Sequence, residues 1–267
     1  MSYHYGLIGN PVDHSLSPEL FQSYCAVHGI EHCDYRCYSL DEELMQRDRL
    51  RAWVEQTGLL GFNVTIPYKR SILAALDCLS PESQIIGAVN CVRVLHDAST
   101  GNVCLYGFNT DAQAFAETLR PLLRPWHRSA LIMGTGGAAQ AVAYALRDLH
   151  ITYQFVSRTP DARDTICAPT AMIHPAISYA EAASMAAQHT LIVNATPIGM
   201  FPHVEDSPCS FVNRLSPRHL CYDLIYNPPR TRFLIEAAEQ GAMVCNGMDM
   251  LRCQALLSYR HWHLGQS

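Results

Sequence analysis

At 267 residues, with 49% hydrophobic and 16% charged side chains, the chain carries enough apolar material for two packed lobes, and the composition excludes disorder. A formal charge of −5 and a sequence pI near 6.2, with Lys and Arg scattered, argue against a nucleic-acid-binding surface. Eleven cysteines in a long chain that opens MSYHYGLIGN, without an export signal or any apolar stretch of membrane-spanning length, predict a cytoplasmic protein with reduced thiols and no membrane contact.

Apolar runs alternate with helix-period segments almost throughout, the pattern of βαβ units. In a first series, strands are predicted over residues 5–8, 35–39, 60–66 and 89–95, with helices over 18–28, 42–56 and 68–76. A turn at residues 97–102 leads into a strand at 103–106, and a helix at 112–123 bridges to a second series. That series has strands at 130–133, 153–156, 191–194, 221–225 and 243–245, a helix at 140–149 and a last helix at 250–263. Pattern alone leaves open which lobe the last helix joins. His261 and His263, flanking Trp262, read as a surface pair. The cysteines nearest in sequence, Cys33 and Cys37, form no CxxC pair, so no metal site is expected.

Gly134-Thr135-Gly136-Gly137-Ala138-Ala139 follows an apolar strand and runs into a helix, the G-x-G-x-x-A form of a dinucleotide fingerprint. Gly134 permits a tight turn, Gly136 lets backbone approach a pyrophosphate, and Ala139 allows close helix-to-strand packing. The helix N-terminus would add N–H groups and a positive dipole end. A plain tight turn is the alternative that the strand and helix on either side argue against. At the end of the next strand, Ser157-Arg158-Thr159 stands where an NAD enzyme usually has a carboxylate. Arg158, with Thr159 and Arg163 as further donors, suits a 2′-phosphate, so NADP is favoured over NAD. A charge-assisted hydrogen bond of about 1.5–3 kcal/mol corresponds to roughly a ten- to hundredfold preference. Asp161 and Asp164 nearby, and a merely solvated Arg158, keep the other reading open.

In the first series, polar clusters fall at strand ends and helix starts, where open α/β sheets present ligands. In Gly61 to Lys69, period two puts Phe62, Val64 and Ile66 on one face and Asn63 and Thr65 on the other. Those polar side chains need partners that a hydroxylated ligand would supply. Pro67 at a first helical position would put Lys69 in the first turn, where a cation opposes the helix dipole. Lys69 as an ordinary surface lysine is the alternative. Ser17 reads as an N-cap before Pro18, whereas Ser15 has no such duty, and the two hydroxyls could hold a carboxylate. Asn90 follows Gly87-Ala88-Val89 at a turn. Asn109-Thr110-Asp111 carries more polar groups than one helix cap requires.

Taken in order, HSLSP, GFNVTIPYK, GAVN, GFNTD, GTGGAAQA, SRT, NATPIGM, YNPPRT and GMDMLRCQ resemble the shikimate dehydrogenase family over nearly the whole chain. The resemblance implies an α/β fold of two lobes with a cleft between them. Residues 1–107, completed by a C-terminal helix at 246–267, would form a substrate lobe with a mostly parallel sheet. Residues 108–245 would form a Rossmann-type NADP-binding lobe. It further implies that Ser15, Ser17 and Tyr226 hold the substrate carboxylate and that Asn63, Thr65, Asn90, Asp111 and Gln254 bind ring hydroxyls. Lys69 and Asp111 would be the catalytic pair. Gly134, Gly136, Gly137 and Ala138 would carry the pyrophosphate, and Ser157, Arg158 and Thr159 the 2′-phosphate. Asn194, Ala195 and Thr196 would lie along the cofactor, with Gly247 and Met250 at the nicotinamide. The sequence departs from the family's usual pattern at Ser157 (often Asn), Pro197 (Ser), Cys91 (Thr) and Ala114 (Gly).

The expected activity is reversible NADPH-dependent reduction of 3-dehydroshikimate to shikimate, with Lys69 as proton donor, in a monomer or homodimer whose partners are small molecules. Three alternatives remain at this level: an NAD-preferring quinate/shikimate dehydrogenase, a non-catalytic sensor of a ring acid and NADP, and another two-lobe NADP enzyme acting on a different small molecule, for which Ser15 and Ser17 would have no evident use. Retention of Lys69 and Asp111 together speaks against the sensor, since a binder needs no proton relay.

Overall fold

A computed structural model describes residues 3–13, 15–96, 102–160 and 175–263. His14, most of the turn predicted at 97–102, Asp161, Arg163 and Asp164 lie outside the described residues. The chain divides into two compact units, 1–110 with 254–267, and 111–253. The sequence placed these boundaries at 107 and 246.

The first unit is built on a six-stranded sheet. β1 (Tyr3–Gly9), β2 (Cys33–Ser39) and β3 (Gly61–Val64) are followed by β4 (Cys78–Leu79), β5 (Cys91–His96) and β6 (Val103–Phe108), in the order β2-β1-β3-β5-β6-β4. The β1–β2, β1–β3 and β4–β6 pairs are parallel. The β3–β5 and β5–β6 pairs are antiparallel. Helices α1 (Ser17–Val27), α2 (Arg47–Thr57) and α3 (Pro81–Ile86) connect them. Gly58 and Gly87 end α2 and α3 at φ of +67° and +68°, a left-handed geometry that glycine adopts without a Cβ penalty.

Three expectations for this unit need correction. The helix predicted over 42–56 is broken into a 3-10 turn, Glu42–Leu44, and α2, because Gln46 is extended. In an unbroken helix Met45 would stand about 140° round the axis from Leu50; the break lets both enter the core with Val54 and Ile72. The helix predicted over 68–76 is a turn followed by a 3-10 helix, Ser71–Ala75. The Lys69 carbonyl is taken at 2.7 Å by the Val89 N–H from outside the segment. Pro67 is therefore not at the start of an α-helix, and Lys69 opposes no helix dipole. Ile66 does not share the buried face of Phe62 and Val64 but is 54% exposed, since β3 stops at Val64. Sequence reading also missed β4 and α3, too short for periodicity to register.

The second unit carries a five-stranded, wholly parallel sheet. β7 (Ser129–Met133), β8 (Thr152–Val156), β9 (Leu191–Asn194), β10 (Leu220–Asp223) and β11 (Met243–Cys245) take the order β11-β10-β9-β7-β8. Its helices are α4 (Asp111–Leu119), α5 (Gly137–Asp148), α6 (Tyr179–Met185) and α7 (Arg232–Glu239). The helix predicted over 112–123 ends earlier, in a 3-10 turn, Arg120–Leu122, where Pro121 lacks the N–H that would continue it. The strands read as near-continuous apolar runs because helices cover both faces of a parallel sheet. This is a Rossmann-type arrangement.

The last helix, α8 (Met248–His263), passes from one unit to the other in sequence, and its residues from Gln254 onward belong to the first. There Trp262, 2% exposed, lies against Gly61, where any Cβ would fall 2.2 Å from the indole. Its ring stacks on Tyr5 at 4.6 Å and its Nε1–H donates to the Val92 carbonyl at 2.9 Å. His261 and His263 are not a surface pair. The His261 ring stacks on Phe108 at 4.1 Å, and His263 Nε2 hydrogen-bonds the Tyr5 hydroxyl at 2.6 Å. Among the described residues no helix is long and apolar enough to cross a membrane, no group of three or more His, Cys, Asp and Glu could hold a metal, and the cysteines are free thiols.

Trp262→Ala should cost about 3–5 kcal/mol, the range for deleting a large buried aromatic. A urea-denaturation midpoint close to that of the wild type would show that α8 is not held by this contact.

Candidate active site

In the first unit the candidate residues come from four remote stretches of chain. Ser15 and Ser17 lie at the start of α1. Ser17 is the first helical residue rather than the cap, and Ser15 does have a local duty: its Oγ accepts the Ser17 N–H at 3.2 Å and donates to the Ser17 hydroxyl at 3.0 Å. Both hydroxyls are half-buried. Thr65 leaves β3, its N–H bound to the Ile8 carbonyl and its carbonyl to the Tyr68 N–H, each at 2.9 Å. Gly9 admits it, because a Cβ there would stand 2.5 Å from Thr65 Cγ2.

Lys69 sits half-buried on the following turn, which the Val89 N–H ties to the Gly87–Asn90 loop. Asn90, at the end of that loop, is buried and central. Its Nδ2 donates at 2.9 Å to both Thr110 Oγ1 and Gln254 Oε1, and its Oδ1 accepts the Thr110 N–H at 2.7 Å. The neighbouring Asn63 is also buried, but its partners come from the protein: Tyr35, the Asn90 carbonyl and Ser258. The ligand that the sequence invoked to satisfy Asn63 is not needed for that purpose. Asn109, by contrast, is a loop anchor, its Nδ2 donating to the Ala88 carbonyl at 3.0 Å.

In the second unit the glycine turn joins β7 to α5. Gly134 has φ +103°, and a Cβ there would meet the Ala195 carbonyl oxygen at 3.1 Å, so turn and packing both demand glycine. Gly136 is extended, immediately before α5, and a Cβ on it would enter open space. Gly137 and Ala138 open the twelve-residue helix, and Ala139 is buried against the sheet. The first N–H groups of a helix lack intrahelical acceptors, so this end of α5 suits an anion. Beyond β8, Ser157 Oγ accepts the Thr159 N–H at 3.1 Å, which shapes the turn bearing the exposed Arg158 and Thr159.

Asn194 ends β9, fully buried. Its Oδ1 accepts the Thr196 N–H at 3.0 Å and the Thr196 hydroxyl at 2.7 Å, and its Nδ2 donates to Asp223 Oδ1 at 3.0 Å. Asn194 therefore shapes the Ala195–Thr196 loop from beneath. Tyr226 follows β10, half-buried. Gly247 lies so close to the Leu224 backbone that a Cβ would meet its carbonyl oxygen at 2.0 Å, and Met250 is buried on the first turns of α8. Asp111 opens α4 and is 4% exposed, a carboxylate at the favourable end of the helix dipole.

Sequence reasoning missed Tyr35, Ser258, Asp223 and Thr231. Tyr35 and Ser258 carry no local signal, since a tyrosine in a strand and a serine in a helix are unremarkable in one dimension. Asp223 offered one, a charge closing the apolar run of β10. It has no exposure, and its carboxylate accepts from the Ile225 N–H and Asn194 at 3.0 Å and from the Thr231 hydroxyl at 2.6 Å. Burial nevertheless pushes its pKa up to about 6, against the lowering effect of those three donors.

The parallel sheet with its glycine turn and the amide-rich polar cluster together define a two-unit α/β protein of the nucleotide-dependent dehydrogenase class. Residues 7–92 match the family model described as shikimate dehydrogenase substrate binding domain. A shikimate dehydrogenase (NADP(+)) from Bacillus cereus strain AH187 is 36% identical, over 97% of this chain and 91% of that protein. Shikimate dehydrogenase 1 from Peptoclostridium difficile superposes with a TM-score of 0.84 at 31% identity, covering 98% of this chain and 92% of that one. A shikimate 5-dehydrogenase from Thermus thermophilus, solved with NADP(H) and shikimate, gives 0.81 at 34% identity, with 97% and 93% covered. This chain belongs to the shikimate dehydrogenase family.

Because the folded Asp223 carboxyl holds its proton up to about pH 6 and the ordinary value is 3.8, the folded state binds more protons between those limits. Its contribution to stability is present below about pH 4 and is lost as pH rises through about 6, amounting to about 3 kcal/mol. Asp223→Asn should therefore gain on the wild type over that window and hold a constant margin above pH 7. Urea denaturation of both proteins from pH 4 to 8 measures the margin; one that does not change with pH would mean that Asp223 does not titrate there.

Proposed function

We propose that the protein is an NADP-dependent shikimate dehydrogenase, an oxidoreductase acting on a CH–OH group, which reduces 3-dehydroshikimate to shikimate reversibly in aromatic amino-acid biosynthesis. The observation that carries this reading is the Asn90–Gln254 hydrogen bond at 2.9 Å. It ties the C-terminal helix to the loop after α3, which is itself held to β3 by the Val64 N–H and to the Lys69 turn by the Val89 N–H, a concentration of hydrogen-bonding groups suited to a polyhydroxylated ring. In this reading Thr65, Asn90, Gln254 and Asp111 take the ring hydroxyls, while Ser15, Ser17 and Tyr226 take the carboxylate.

The second unit fits NADP. The helix end at Gly136, Gly137 and Ala138, with open space where a Gly136 Cβ would stand, would receive the pyrophosphate. Arg158, with Ser157 and Thr159, would receive the 2′-phosphate; among the described residues Arg158 is in no salt bridge that would compete for it. Asn194 holds the Ala195–Thr196 loop along the cofactor, and Gly247 and Met250 border the nicotinamide. NADPH, when bound, supplies the hydride and no proton. Lys69 and Asp111 are the catalytic pair of this reading: Lys69 supplies the proton to the ring oxygen, and Asp111 takes a ring hydroxyl. The protein works in the cytoplasm on free small molecules, as a monomer or homodimer, without nucleic acid or membrane. The first unit, 1–110 with 254–267, would be the substrate lobe and the second, 111–253, the cofactor lobe, near the bounds at 107 and 246 that the sequence placed.

Purified protein should oxidise shikimate in preference to quinate, and with NADP in preference to NAD, followed by reduced-nicotinamide absorbance. Loss of both shikimate and NADP turnover would refute the assignment. Lys69→Ala should lower kcat by about 10²–10⁴-fold with NADP affinity nearly unchanged; near-normal turnover would remove Lys69 from the chemistry. Arg158→Ala should raise the KM for NADP by roughly ten- to a hundredfold and leave that for NAD little changed. Equal effects on the two cofactors would exclude a 2′-phosphate contact.

A further inference from the structure

The buried amides of the first unit can each be oriented from backbone groups whose hydrogen-bonding sense is fixed. The Thr110 N–H can only donate, and it meets a side-chain atom of Asn90 at 2.7 Å. That atom is Oδ1, so Nδ2 is the group that faces Gln254, 2.9 Å away. Gln254 must then turn Oε1 toward Asn90, leaving its own N–H pair on the opposite edge. The Asn90 carbonyl can only accept, and Asn63 Nδ2 reaches it at 3.0 Å. Asn63 Oδ1 therefore points the other way, where the Tyr35 hydroxyl donates to it at 2.9 Å. The second Asn63 N–H goes to Ser258 Oγ at 2.8 Å, and the Ser258 hydroxyl donates to the Gln254 carbonyl at 2.9 Å. Ser258 is fully buried.

Asn63 thus has both its donors engaged by the fold. It grips the Asn90 backbone on one side and, through Ser258, the turn of α8 that carries Gln254 on the other. A buried amide with unmet donors would be costly, and each partner here narrows the orientations open to the next.

We propose that Asn63, Tyr35 and Ser258 are positioning residues: through the Asn90 and Gln254 carbonyls they hold in place the Asn90–Gln254 pair, whose polarity, set by the Thr110 N–H, offers the Gln254 N–H groups to a ligand. The inference rests on the shikimate dehydrogenase reading and deepens it. Asn63, which the family resemblance placed among the groups touching ring hydroxyls, acts through Asn90 and Gln254 instead. The ring group that meets Gln254 must accept a hydrogen bond, as a hydroxyl or carbonyl oxygen does. A ring ammonium at that position, which can only donate, is rejected.

The test is steady-state kinetics with shikimate and NADP on the wild type, Ser258→Ala, Tyr35→Phe and Gln254→Ala, and on each of the first two changes combined with Gln254→Ala, with Tm for all. Ser258→Ala and Tyr35→Phe should each raise the KM for shikimate about three- to tenfold, the worth of one hydrogen bond. Their kcat and KM for NADP should stay within about twofold of the wild type. In the Gln254→Ala background both effects should shrink clearly, because one of the two groups being positioned is gone. A lowered Tm with unchanged KM for shikimate would reduce the network to structural support and overturn the proposal. Undiminished KM effects without Gln254 would overturn it as well. If Ser258→Ala does not fold, Tyr35→Phe, which removes one oxygen and keeps the ring, decides alone. Failure of the functional reading is read separately, as wild-type protein that does not oxidise shikimate, and the proposal then falls with it.

Discussion

The seating of Trp262 over Gly61 is the contact on which the arrangement of the first unit depends. A glycine in the middle of a sheet gives up side-chain packing and costs conformational entropy. Here the open face is filled by an indole from the far end of the chain, stacked on Tyr5 and hydrogen-bonded to β5. Once Trp262 is fixed, helical geometry sets the rest of α8. Ser258 lies one turn earlier and Gln254 two, residues four apart sharing a face, so one packing contact delivers both polar side chains to Asn63 and Asn90.

The second unit solves an analogous problem with a charge. The loops after β9 and β10 are irregular backbone at the ends of buried strands, and their N–H groups need acceptors. Asp223 accepts the Ile225 N–H together with the Asn194 side-chain amide and the Thr231 hydroxyl, and Asn194 in turn accepts the Thr196 N–H. Burial strains that arrangement by raising the carboxyl pKa to about 6. The fold thus accepts an electrostatic cost near a loop that the proposed function puts along the cofactor, a common location for such costs.

Both units hold their functional side chains by satisfying polar groups inside the protein and leaving defined edges turned outward. The Gln254 N–H pair, on a side chain held through its Oε1 by Asn90, and the α5 N-terminus are such edges. Ring hydroxyls and phosphates are recognised by the direction of donors and acceptors as much as by charge. Rigid placement of those edges lowers the ordering cost of binding.

The sequence by itself determined the alternation that makes this an α/β chain, the glycine turn between β7 and α5, and nearly all the strands of the second unit. Those features are local: continuous apolar runs, a helix period and glycines at fixed spacing. It also singled out Thr65, Lys69, Asn90, Arg158 and Gln254, because order and spacing of whole motifs identified the family. Tertiary structure alone decided what each polar residue is for. Asn63 read as a group awaiting a ligand, and its partners, Tyr35 and Ser258, lie 28 residues before it and 195 after it. Ser17 read as the cap and Ser15 as free of that duty, whereas Ser15 bonds the Ser17 N–H. The helix read through Lys69 fails because the Lys69 carbonyl is claimed by Val89 across a loop. Periodicity reports which face is apolar, but the fate of a donor or acceptor depends on atoms brought near only by the completed fold.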